Sequence, residues 1–131
     1  MILAKEAIEK AVNWWAEKIL EDRPHSNGDD SFPSITACLL ADMGRQNITS
    51  DQADTFKKAL AKRMTEYAES GRFNHFSIMS DYGPCGMLID AANEAGISAA
   101  NFPFKTTMFV TEKDGIIVRD GYGAPAVKLW G

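Results

Sequence analysis

The sequence predicts an α+β fold: an N-terminal three-helix layer followed by a small, largely antiparallel sheet with one inserted helix. Up to about residue 70 the apolar residues recur at helical spacing. From about residue 71 to residue 131 the apolar runs are short, alternating or β-branched, and Gly and Pro punctuate them. Each part is too small to be expected to fold alone, so residues 1–131 read as a single domain.

Ile8, Val12, Trp15 and Ile19 lie on one face of a helix over about residues 2–21, with Trp14 flanking that stripe. Arg23-Pro24 stops it, because a residue before proline avoids helical dihedral angles. After the polar loop His25–Ser31, Pro33 suits the first turn of a second helix that carries Ile35, Leu39, Leu40 and Met43 and ends at Gly44. Ile48-Thr49-Ser50-Asp51-Gln52 reads as a capping box, with Thr49 as N-cap and Gln52 reaching back to it. The third helix then buries Ala53, Phe56, Leu60, Met64 and Tyr67 and stops at Gly71.

Phe73–Ser80 alternates with apolar groups on both faces, which predicts a strand covered on both sides or a central one. A short helix over Pro84–Ala95 ends at Gly96. Thr106–Thr111 and Ile116–Arg119 are β-rich, and Glu112-Lys113-Asp114-Gly115 between them is a hairpin signal. Ala126–Trp130 can add a last strand.

With 45% hydrophobic and 24% charged residues in 131, the chain has the composition of a globular domain with one core. A net charge of −4 favours solubility and speaks against a nucleic-acid surface. Cys38 and Cys85 make no disulfide framework, and the charged N-terminal helix reads as no secretory signal. No apolar run approaches the ~18–20 residues that span a bilayer. The expected location is the cytoplasm, and a homo-oligomer is left open.

The most chemical stretch is Asp81-Tyr82-Gly83-Pro84-Cys85-Gly86-Met87, which puts a cysteine in the first turn of a helix. Unpaired N–H groups and the helix dipole favour a thiolate there. A nucleophile also needs a base. His75 lies along an extended strand, about 20 Å back at ~3.3 Å per residue. His25 is the remaining candidate, so Cys85 and His25 form the only catalytic pair the sequence offers. Against that pair, Cys85 falls in helical phase with Leu88, Ile89 and Ala92, as a packing residue does.

The loop His25–Ser31 has neither calcium-loop nor zinc-ligand spacing, so no metal and no cofactor is expected. Gly121-Tyr122-Gly123-Ala124-Pro125 lacks the following helix that a dinucleotide fingerprint requires. The basic residues Lys57, Lys58, Lys62 and Arg63 are interspersed with Asp51, Asp54, Glu66 and Glu69, as on a solvated face.

The reading that follows is a small, acidic interaction or inhibitor protein that binds a protein partner and does no chemistry of its own. Accessory proteins of phages and mobile elements include chains of this kind. Asp81, Tyr82, Gly83, Tyr122 and Trp14 are its expected contact residues. The alternatives are a cysteine-dependent hydrolase or transferase at Cys85, and a small-ligand-binding module bounded by Asp81, Tyr82 and the His25 loop.

Overall fold

A computed structural model describes residues 4–20, 36, 39, 43, 47–70, 75–81, 83–111, 115–121 and 125–130. Among them are helices α1 (Lys5–Leu20), α2 (Ser50–Glu69) and α3 (Gly86–Ala95) and a short 3-10 turn, Ala99–Asn101. The strands are β1 (His75–Ser80), β2 (Thr106–Thr111), β3 (Gly115–Asp120) and β4 (Val127–Trp130). They form one 4-stranded antiparallel sheet in the order β1-β2-β3-β4, with α3 and the 3-10 turn inserted between β1 and β2. The α+β class and the helix-before-sheet order are therefore present. Of the expected second helix, only Thr36, Leu39 and Met43 are described. They are helical, and Leu39 and Met43 are exposed rather than turned inward.

The helices form because each has one apolar face to bury. In α1 that face is Ala7, Ile8, Ala11, Val12, Trp15, Ala16 and Ile19, at the spacing of a single stripe. Thr49 caps α2 as expected: its hydroxyl accepts from the Gln52 N–H at 3.1 Å, and the Gln52 carboxamide accepts from the Thr49 N–H at 3.0 Å. Gln52 also donates to the carbonyl of Gly96 at 3.1 Å, tying the start of α2 to the end of α3. Gly96 closes α3 in the left-handed region (φ 70). The Gly96 and Ile97 N–H groups bond back to Asn93 and Ala92, a Schellman arrangement that satisfies carbonyls the helix leaves open. The proline and glycine stops expected at Pro24, Gly44 and Gly71 lie outside the described residues.

Helices α1, α2 and α3 pack on one face of the sheet. Phe76, Ile78, Met108, Val110, Ile116 and Val118 meet Val12, Trp15, Phe56, Leu60, Met64 and Leu88 in one buried cluster. Burying each large apolar side chain contributes ~1.5–3 kcal/mol. No described helix covers the other face. The alternation of β1 is exposed-buried along its whole length, and Met79 and Phe109 are 44% and 47% exposed. This corrects the expectation for β1: among the described residues it is the edge strand of the sheet and is buried on one face only. Met79 and Phe109 lie on the opposite face, and antiparallel sheets commonly carry one face outside the core.

Candidate functional site

The chain reverses just after β1. Ser80 lies opposite Pro84, the Cys85 N–H donates to the carbonyl of Met79 at 2.9 Å, and the Asp81 N–H donates to Gly83 at 3.2 Å. Cys85 is therefore the N-cap of α3, in extended conformation, and not a residue of its first turn. Its side chain makes no capping bond and packs half-buried against the core. Leu88 and Ala92 are fully buried behind it, so the alignment with the apolar stripe persists although the residue itself is outside the helix.

The reversal also brings Cys85 back alongside β1. The separation from His75 expected for a continuing chain does not arise: Cys85 sits beside Met79, about 13 Å along the strand from His75 at ~3.3 Å per residue. Cys85, His75, Ser77, Tyr67, Met87 and Phe109 line one cleft of about 510 Å³. The strand is intact, and it is the turn at Asp81–Pro84 that shortens the path. The other proposed base, His25, lies outside the described residues, as do Tyr82 and Tyr122.

Asp81, just past the Met79 end of β1, belongs to a second cluster with Lys105 and Gly121. Lys105, which the sequence reading passed over, is the hinge. It adopts a left-handed conformation (φ 55) and is buried. Its N–H donates to the Asp81 carbonyl at 2.9 Å and its carbonyl accepts from the Gly121 N–H at 3.1 Å. Asp81 and the turn that begins at Gly121 are thereby stitched together across the end of the sheet.

Beneath them, the Thr106 hydroxyl bonds an Asp120 carboxylate oxygen at 3.1 Å, and the other Asp120 oxygen pairs with Lys18 Nζ at 3.1 Å. Lys18 Nζ lies 5.2 Å from the ring centre of Trp14, which stands edge-on to Trp15 at 5.0 Å. Trp14, expected as an exposed contact, is half-buried under this lysine. Ser80 and the Trp15 indole N–H are buried with no hydrogen-bond partner among the described residues.

Nothing at this end resembles a metal site: among the described residues no group of three or more His, Cys, Asp or Glu is placed to hold an ion. No described helix is long and apolar enough to cross a membrane. No protein-family model matches the chain, and no curated protein matches it well enough to count as a relative.

What the sequence reading missed is the outer face. Phe109 stands between Ser77 and Ile117 in the cross-strand register, with Met79 on the diagonal. The run Thr106–Thr111 alternates in a way that fits either face inward. Only the pairing of β2 with its neighbours turns Met108 in and Phe109 out.

Proposed function

We propose that this chain is a small interaction or inhibitor protein that acts by binding a protein partner and performs no chemistry of its own. The observation that carries this reading is the outer face of the sheet. Phe109 and Met79, nearly half exposed, adjoin a half-buried Ile117 on a surface that no described helix covers. Scattered exposed apolar residues are ordinary, but neighbouring ones on a rigid sheet make an anchor patch of the sort that dominates interface energetics.

The test is co-purification under mild cross-linking, identification of the captured protein, and reconstitution of the pair from purified components. A stoichiometric complex is expected, weakened at least tenfold by Phe109→Asp while the melting temperature of the free chain stays unchanged. A complex indifferent to both Phe109→Asp and Met79→Asp would sink the assignment of this face.

A second reading, cysteine-dependent hydrolysis or group transfer, is favoured by the cleft that Cys85 shares with His75. It requires that iodoacetamide alkylate native Cys85 at pH 6–7 much faster than a model thiol, and that His75→Ala remove the advantage. Labelling no faster than a model thiol ends it.

A further inference from the structure

We propose that the open edge of β1, at His75–Ile78, is a strand-addition site for a short, basic, extended segment of the protein partner. The proposal rests on the interaction reading above and names how the partner is held.

The backbone argument comes first. The Met79 carbonyl accepts from Cys85, which lies on the side away from β2, so the N–H and C=O of Met79 point outward. Alternation along an unbroken antiparallel register turns the groups of Ser77 and His75 the same way. The end of β1 is occupied by the Pro84–Cys85 return. The stretch before it, about 13 Å at ~3.3 Å per residue, pairs with no described strand on that side. Unpaired N–H and C=O groups in a row are a template for another extended backbone.

The cleft beside this edge supplies the second element. Its volume of about 510 Å³ is bounded by Tyr67 and Met87 from the helices and by Phe76 and Phe109 from the sheet. An added strand running antiparallel to β1 places alternate side chains toward the helix side and toward the outer face. Tyr67, Phe76 and Met87 make the helix side apolar while His75, Ser77 and Thr111 line the outer side, so the segment is apolar at the alternate residues turned toward the helices.

Charge selects the flanks. Helix α2 carries as many bases (Lys57, Lys58, Lys62, Arg63) as acids (Asp51, Asp54, Glu66, Glu69), but all four bases precede its last turn, which reaches the cleft through Tyr67. The end of α2 has exposed Glu66 and Glu69 and no base in its last turn. Helix α3 has Asp90 and Glu94 and neither lysine nor arginine, and β1 holds no lysine or arginine either. Arg63, one turn before Tyr67, and Glu94 pair with each other at 2.8 Å and offset one another, which leaves Glu66, Glu69 and Asp90. A basic segment is attracted to this rim and an acidic one repelled.

Amide hydrogen exchange on the intact chain, followed residue by residue by NMR, tests the proposal. The added peptides are acetyl-Lys-Val-Thr-Val-Lys-amide, its acidic counterpart with Glu at both ends, and the basic peptide N-methylated on the amides that would face β1. The basic peptide is expected to slow exchange of the His75 and Ser77 amides at least tenfold at saturation. The acidic peptide is expected to bind at least tenfold more weakly, and the N-methylated one to lose the protection. Ser77→Pro, which deletes an outward N–H at a position where an edge strand tolerates proline, is expected to keep the fold and abolish binding.

Equal affinity for the N-methylated peptide, or unprotected His75 and Ser77 amides at millimolar basic peptide, overturns strand addition. If Ser77→Pro fails to fold, the N-methyl comparison decides. A partner complex that forms and is lost with Phe109→Asp, while those amides stay unprotected, defeats this proposal and leaves the interaction reading standing. Protection by the peptide with no partner complex defeats the interaction reading and leaves the edge site.

Discussion

At the residue scale, individual polar groups differ sharply in how well they are used. Gln52 accepts from the Thr49 N–H, donates to Gly96, and joins two helices that are far apart in sequence. Thr49 makes only the local half of the box. Thr49→Ala is therefore expected to cost ~1 kcal/mol, as N-cap losses do. Gln52→Ala should cost more, by about another 1 kcal/mol for the bond to α3. Urea unfolding of both variants checks the order, and equal losses would mean that the bond to Gly96 contributes nothing.

Ser80 is the converse case. Its hydroxyl is buried and unpaired among the described residues, so Ser80→Ala removes an unsatisfied group. It should leave stability within about 0.5 kcal/mol or raise it, unlike typical core truncations. The capping box was legible from Thr49 and Gln52 alone because it is local chemistry. The bond from Gln52 to Gly96 was not, because nothing near either residue announces the other.

At the scale of elements, β2 shows how far an alternating pattern reaches. Met108 and Phe109 are sequence neighbours of similar bulk, and one is fully buried while the other is nearly half exposed. Met108→Ala is expected to cost 2–5 kcal/mol, roughly the range for emptying a core site. Phe109→Ala should cost under about 1 kcal/mol, as substitutions on an open face do. Thermal or denaturant unfolding of the pair tests the assignment of faces, and similar losses would overturn it.

The join between α1 and the sheet is a second element-scale feature. Lys18 and Asp120, both partly buried, pair across it, with Thr106 holding the other carboxylate oxygen. Asp120→Asn keeps the shape and deletes the charge, and should lower stability by ~1–2 kcal/mol. Part of that loss should vanish in the Lys18→Met background, where the charge has already lost its partner. A double-mutant cycle reads the coupling directly.

For the whole molecule, the deciding fact is that one apolar cluster draws on residues from both ends of the chain. Trp15 and Leu60 from the helical part meet Ile78, Met108 and Ile116 from the mixed part. A fragment of residues 71–131 would expose the inner face of its sheet. It is expected to show no cooperative transition by circular dichroism, whereas the full chain unfolds in a single step seen alike by tryptophan fluorescence and circular dichroism. Two separated transitions in the full chain would contradict this. The same architecture leaves the opposite sheet face and the β1 edge without cover from any described helix, and the proposed contacts gather there.

The sequence by itself determined the helices that carry a stripe or a cap, the hairpin of β2 and β3, and the α+β class, because periodicity and capping are properties of neighbouring residues. Tertiary structure decided everything that depends on what lies across from a residue. It made β1 the edge of the described sheet rather than its centre, since the apolar groups on both sides of Phe73–Ser80 say nothing about pairing. It placed Cys85 before α3 instead of inside it and brought it beside the strand that holds His75, because the turn at Asp81–Pro84 doubles the chain back. It drew Asp81 and Gly121 together through the backbone of Lys105, a residue with no motif around it. Local patterns settle which segments are regular; only the closing of the sheet against its helices settles which side of each segment meets water.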